Sequence, residues 1–210
     1  RIFWDNAYTV HHLYDDAAQQ DQLLDIAKAC VEAGNPNRYF KFASTSKVTF
    51  PGAGVAAMAA SPENVAEIKK RMGVQTIGHD KLNQMRHVRF LKDADGIAAH
   101  MAKHASIIRP KFELVLKMLE EGLAGTGCGS WSNPRGGYFV SFDAPEGTAK
   151  HIVAMAKEAG VTMTGAGATY PYKNDPKDSN IRIAPTLPPL EELESALKGF
   201  VCCVKLASVE

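Results

Sequence analysis

Four short stretches carry residue types that could act on one substrate. Asp5 and Tyr8 stand three apart in "DNAY", and Lys47 closes "STSK" behind Ser44 and Ser46. A Gly-Ala-Gly loop follows that lysine, and Arg182 lies in "NIRIAP". A lone loop lysine is ordinarily solvated, so its company decides. A lysine amine can bond an aldehyde and later carry a proton. A carboxylate can keep a pyridine nitrogen protonated, so that the ring accepts the electrons left when a substrate Cα loses its proton. A phenol can tune the ring's phenolic oxygen, and hydroxyls with glycine-turn amides can hold a phosphate. An arginine can grip a carboxylate through two parallel N–H bonds. These are together the needs of pyridoxal phosphate.

The elements that must position these groups read as α/β. "RIFWD" is a short buried-type strand ending at Asp5, and "RYFKFAST" is a second. Between them Leu23, Leu24, Ile26, Ala27, Cys30 and Val31 recur at helical spacing, and Gly34 is the expected stop. Strand, helix, strand is the unit of a parallel sheet, and such sheets bind ligands at the carboxyl ends of their strands. "SPENVAEIKKRM" begins a helix, with Ser61 as cap and Pro62 in the first position. Residues 93–123 are helical in pattern, and Pro110 is expected to kink or divide them.

Beyond a boundary near residues 103–110 the character changes. "YFVSFDA" and "NIRIAPT" read as strands, while "GTAKHIVAMAKEAGV" and "PPLEELESALKGFVCCVKLA" read as helices. The expected division is 1–105 and 106–210, the second part a small α+β domain. The glycine-rich "TGAGATY" lacks the strand–helix context of a nucleotide fingerprint and reads as a loop.

In 210 residues, hydrophobic types make up 45% and charged types 22%, enough apolar content for a sizeable core. Lys plus Arg is 24 and Asp plus Glu is 23, and a net charge of +1 gives no basis for nucleic-acid or membrane-surface binding. The four cysteines show neither CxxC spacing nor Cys/His clusters, which argues against a disulfide framework or a zinc site and favours the cytoplasm.

With the motifs quoted, the chain resembles the fold-type I pyridoxal-phosphate enzymes, specifically the class I/II aminotransferases. "DNAY" is similar to their Asp-x-x-Tyr strand motif, and "STSK" to their Ser-x-x-Lys cofactor motif. "NPRGGYFVSF" is similar to the Pro-x-Gly-Gly-x-Phe segment of their small domain, and "NIRIAP" to the strand whose arginine grips the substrate α-carboxylate. The motifs stand in the family's order along essentially the whole chain. One position departs: eight residues after the lysine, where most members carry a phosphate-binding arginine, this chain has Val55. The "STSK…GAGV" wording looks like a divergent bacterial branch often assigned as aspartate aminotransferases.

The resemblance implies a pyridoxal-phosphate-dependent transferase (aspartate aminotransferase-like) fold. The chain would hold the second half of the large-domain sheet, 1–105, and the small C-terminal domain, 106–210. It implies a cytoplasmic homodimer and a polypeptide of about twice this length, whose N-terminal half supplies the rest of the cofactor site. It implies Lys47 as the residue that forms the cofactor aldimine and Asp5 as the partner of the ring nitrogen. Tyr8 would face the ring's phenolic oxygen, Ser44 and Ser46 the phosphate, and Arg182 the substrate carboxylate. The expected reaction moves an amino group from an amino acid, best aspartate, to a 2-oxo acid, best 2-oxoglutarate, with no metal. The rivals are a cofactor-sensing domain of a transcription regulator, and β-elimination or decarboxylation. His11 and His12 follow the Asp strand and could line the site, although loop histidines are ordinarily solvated. Arg86 and Arg89, in "MRHVRFLK", could reach a second carboxylate but read rather as a solvated face.

Overall fold

The computed structural model describes residues 1–209, which cluster into two compact units. The first comprises Arg1–His12 with Asp21–Lys103, and the second Leu13–Gln20 with the chain from His104 onward.

In the first unit, β1 (Ile2–Asp5) pairs in parallel with β2 (Tyr39–Ser44), and Asp5 stands opposite Phe42. The connecting helix α1 (Ile26–Glu32) is shorter than its apolar spacing predicts. Asp25 starts it by accepting from the N–H groups of Ala27 and Lys28. Leu23 and Leu24 lie before the cap and are exposed, because they belong to no helical turn that could bury them. Gly34 ends the helix as expected. At φ +70° it lets Asn35 N–H reach the Cys30 carbonyl (2.8 Å) while its own N–H reaches Val31 (3.0 Å).

Two elements of this unit are not evident from the sequence pattern. β3 (Ala56–Ala60) pairs antiparallel with β2, Met58 opposite Phe42, although its alanines favour helix. Helix α3 (Lys81–Leu91) starts at Asp80, whose carboxylate accepts from Asn83 N–H at 2.9 Å. Helix α2 (Pro62–Gln75) begins as expected, Ser61 Oγ accepting from Asn64 N–H.

Helix α4 (Ala94–Leu123) runs through Pro110 as one element. The proline does not divide it; the residues on both sides remain helical.

In the second unit, β4 (Ser130–Trp131), β5 (Val140–Asp143) and β6 (Asn180–Ile183) form an antiparallel sheet in that order. Helices α5 (Ala149–Glu158) and α6 (Leu190–Ala207) pack on it together with the later turns of α4. Phe142 stacks on Trp131 and meets Phe200 edge-on at 5.2 Å. Val115, Leu119, Val140, Ile152, Ile181 and Val204 close this core. Thr164–Tyr170 is a loop, as its composition suggests.

Candidate active site

The parallel pair fixes the site's frame. Because β1 and β2 run the same way, both release their chains at the same edge. Asp5 is the last residue of β1, and Ser44 the last of β2. Asn6 N–H still reaches the Phe42 carbonyl (2.8 Å), so the loop carrying Tyr8 leaves beside β2. Asp5 is exposed, and its Oδ1 accepts from Ala7 N–H at 3.0 Å. Tyr8 is half-buried, its ring edge-on to His11 at 5.5 Å.

Lys47 lies in the turn that follows β2. The Thr45 carbonyl accepts from Val48 N–H (2.9 Å) and Thr49 N–H (2.8 Å), which closes one tight turn around the lysine. The Lys47 side chain is exposed, and Ser44 and Ser46 are half-buried. Ser44 Oγ accepts from Ser46 N–H at 3.4 Å. The two loops are joined directly, since His11 Nε2 donates to the Lys47 carbonyl at 2.9 Å. The structure therefore brings Asp5, Tyr8, Ser44, Ser46 and Lys47 to one sheet edge.

His11 is not the solvated loop histidine its context suggests. It is 3% exposed. Burial pushes its imidazole below the ordinary value, against the raising effect of hydrogen bonds to the Lys47 and Tyr8 backbone. His12 is half-buried, and Arg86 and Arg89 lie on the exposed face of α3.

The glycine turn after Lys47 is partly self-satisfied. Ala53 N–H donates to the Phe50 carbonyl (3.3 Å), and Val55 N–H to Thr45 Oγ1 (2.9 Å). Those two amides are occupied within the turn. Gly54 stands in a crowded place: a Cβ there would lie 3.1 Å from Thr45 Oγ1 and 3.2 Å from Ser46 N, so those neighbours would have to give way slightly.

Sequence reasoning misses the residues that tie this turn down. Thr45 Oγ1 and Thr49 Oγ1 meet His87 Nε2 at 3.0 and 2.8 Å, Asn83 Nδ2 donates to the Gly54 carbonyl at 3.0 Å, and His100 Nε2 donates to the Val48 carbonyl at 2.8 Å. The available signal was the i, i+4 spacing of Asn83 and His87, hidden while "MRHVRFLK" read only as a basic face.

Arg182 belongs to the second unit. It stands opposite Ser141 on β5, its guanidinium lies 4.4 Å over the Phe139 ring, and Nη2 donates to Thr164 Oγ1 at 3.4 Å. Its Nε is buried without a hydrogen-bond partner among the described residues. A buried donor left unmade is costly, and a planar carboxylate would satisfy it.

The donor set fits pyridoxal phosphate. An exposed amine, an exposed carboxylate, a phenol and two half-buried hydroxyls share one edge, and Asn6 Oδ1 beside Asp5 is a buried acceptor without a hydrogen-bond partner among the described residues. Among those residues no group of His, Cys, Asp and Glu could hold a metal ion.

The chain is similar to known aminotransferases. The sequence model of the family described as aspartate amino-transferase matches residues 1–210. A Mycolicibacterium smegmatis protein, provisionally named an aminotransferase, is 50% identical over the whole chain. The aspartate aminotransferase of Corynebacterium glutamicum is 46% identical over the same 210 residues. The chain spans about half the length, 48%, of both curated relatives. The crystal structure of a Corynebacterium glutamicum aspartate transaminase superposes with a TM-score of 0.93 at 47% identity, over 99% of this chain and 48% of that one. At 22% identity, the α-aminoadipate aminotransferase LysN of Thermus thermophilus, complexed with N-(5'-phosphopyridoxyl)-L-leucine, shares the fold, with a TM-score of 0.76 over 99% of this chain and 50% of that one.

Proposed function

Because the chain belongs to the aspartate amino-transferase family, we propose that it forms the lysine-bearing half of an aminotransferase. The enzyme moves the amino group of an amino acid, aspartate by the relatives' names, to a 2-oxo acid, 2-oxoglutarate, with pyridoxal phosphate as cofactor. Residues 1–105 belong to the large cofactor-binding domain and 106–210 to the small domain. The working protein is a homodimer of a polypeptide about twice this length, placed in the cytoplasm, where the free thiols of Cys30, Cys128, Cys202 and Cys203 are stable. The observation that carries the proposal is the seam between the Lys47 turn and the Asp5–Tyr8 loop at the edge of the parallel pair.

Each residue has a distinct task. Lys47 Nζ would attach the cofactor, Asp5 would pair with its ring nitrogen, and Tyr8 would donate to its phenolic oxygen. Ser44 and Ser46 donate to the phosphate, in place of an arginine where this chain carries Val55. When bound, pyridoxal phosphate supplies a sink for the electrons left at the substrate Cα. Once the substrate amine had displaced it from the cofactor, Lys47 Nζ would be free to take the Cα proton and to deliver it away from Cα. Arg182 holds the substrate α-carboxylate as a bidentate fork, which orients the Cα–H bond and sets a reactive geometry. The relatives' names favour transamination over the elimination, decarboxylation and regulator readings.

Two measurements on the full-length protein test this. Borohydride reduction of the loaded enzyme followed by peptide mapping places the pyridoxyl group on Lys47; a label on another lysine overturns the assignment. Arg182→Lys weakens aspartate and 2-oxoglutarate binding alike, by about 2 kcal/mol each, because both ligands carry the α-carboxylate. Unchanged affinities for both would remove Arg182 from substrate binding.

A further inference from the structure

Three histidines that the proposed chemistry does not use converge on the turn of Lys47. Thr45 closes that turn from within, its carbonyl accepting from Val48 N–H, Thr49 N–H and Thr49 Oγ1. Two further carbonyls of the turn are taken by imidazoles: Lys47 by His11 Nε2 (2.9 Å) and Val48 by His100 Nε2 (2.8 Å). A carbonyl oxygen only accepts, so both rings carry hydrogen on Nε2. His87 is set the other way. Its Nδ1 lies 2.9 Å from the Asn83 carbonyl and so carries hydrogen, while Nε2 faces the hydroxyls of Thr45 (3.0 Å) and Thr49 (2.8 Å) and accepts at most one of their hydrogens.

The three rings come from three different elements: the loop after β1, helix α3 and helix α4. Asn83, one turn before His87, holds the far arm of the same loop through Gly54. His11 also rests against the Tyr8 ring, so one residue touches both the lysine's backbone and the phenol. His100 is braced by Phe90, edge-on at 5.0 Å. A lysine side chain has four rotatable bonds, and its reach is controlled only as well as its Cα is fixed. Hydrogen bonds on the lysine's own carbonyl and on the next one fix the peptide planes that aim it. Misplacing a reacting group by about 1 Å can cost about 10²-fold in rate.

We infer that His11, His87 and His100 are positioning residues: a clamp that orients Lys47 through its backbone and couples it to Tyr8. The inference rests on the reading of Lys47 as the cofactor lysine. Its test separates the two by measuring the turn itself. In the cofactor-free full-length protein, amide hydrogen exchange is followed in peptides covering Thr45–Val55, with peptides of β5 and β6 as the internal reference. His100→Leu raises exchange in Thr45–Val55 by about tenfold, the loss expected for one part-buried hydrogen bond, and leaves the reference unchanged. His100→Gln, which returns an amide N–H near the position of Nε2, restores protection. In the loaded enzyme His100→Leu lowers kcat while KM for aspartate stays within about twofold, because Arg182 holds the carboxylate. His87→Leu repeats the loss of protection from α3 and serves where His100→Leu does not fold. Wild-type exchange in Thr45–Val55 for the leucine variants, or a glutamine variant no better protected than leucine, overturns the clamp. Lys47→Ala that still attaches the cofactor covalently would overturn the cofactor-lysine reading alone.

Discussion

The two compact units solve the problem of order differently. In the second, Phe112, Phe142 and Phe200 are at most 1% exposed, and α4, α5 and α6 cover the three-stranded sheet. In the first, α2 buries no residue and α3 only Leu91, while Phe3, Phe50 and Val74 are largely exposed. Within this chain, α2 and α3 therefore gain little from packing. Order around Lys47 instead comes from hydrogen bonds made by Thr45, His11, His87, Asn83 and His100. Packing holds the unit that carries Arg182, and directional polar contacts hold the turn that carries Lys47. Packed cores resist through area and volume, whereas hydrogen-bonded turns resist through geometry and fail one bond at a time.

The largest expected effect lies in the packed unit. Phe142→Ala removes the ring between Trp131 and Phe200 and should cost about 4 kcal/mol in denaturant unfolding, since little around it can collapse into the gap. A cost below about 1 kcal/mol would mean that this core is not close-packed.

Next is a backbone constraint in the first unit. A Cβ on Gly96 would collide with the Leu91 carbonyl at the corner between α3 and α4, where no flexible side chain can give way. Gly96→Ala should cost about 2 kcal/mol and raise hydrogen exchange in Thr45–Val55, because that corner separates the helices bearing His87 and His100. A stable variant with a fully protected turn would show that the corner and the clamp are independent.

A smaller effect distinguishes the units by pH. Buried Asp175 accepts from the N–H groups of Asn180, Ser179 and Lys177. Those bonds, Asn180 first, hold its carboxyl below the ordinary value. A carboxyl depressed on folding stabilises above its unfolded value, about 3.9, and that contribution is lost as pH falls through the folded value. Wild-type Tm should therefore drop more steeply below about pH 4 than that of Asp175→Asn, which should start lower at neutral pH. Parallel curves would show that Asp175 contributes nothing through its charge.

The smallest effect is expected at Leu24, which stands before the α1 cap and is 59% exposed. Leu24→Ser should change stability by no more than about 0.5 kcal/mol. A larger loss in the full-length protein would show that Leu24 is covered there.

How far the sequence is legible follows from the range of the interactions. The Ser61 cap, the Gly34 stop and the strand end at Asp5 are settled by neighbours within a few residues and stand where the pattern places them, and β2 ends at Ser44, one residue before the end of the run that reads as strand. Leu23 and Leu24 match helical spacing, yet α1 begins only after Asp25, whose carboxylate caps it. β3 is written in alanines, and its strand state comes from pairing with β2 across the glycine turn.

By itself the sequence determined the chemistry on offer: an amine, a carboxylate, a phenol, hydroxyls and a guanidinium, with local signals that put all but the last beside two strand ends. Only the tertiary structure decided how the lysine is held. His11, His87 and His100 lie 36, 42 and 52 residues from the groups they bind in the turn. No periodicity links positions so far apart. A histidine on a loop or helix face reads the same in one dimension whether it meets water or a carbonyl. Its partner, its tautomer and its burial exist only once α3 and α4 have folded back onto the loop.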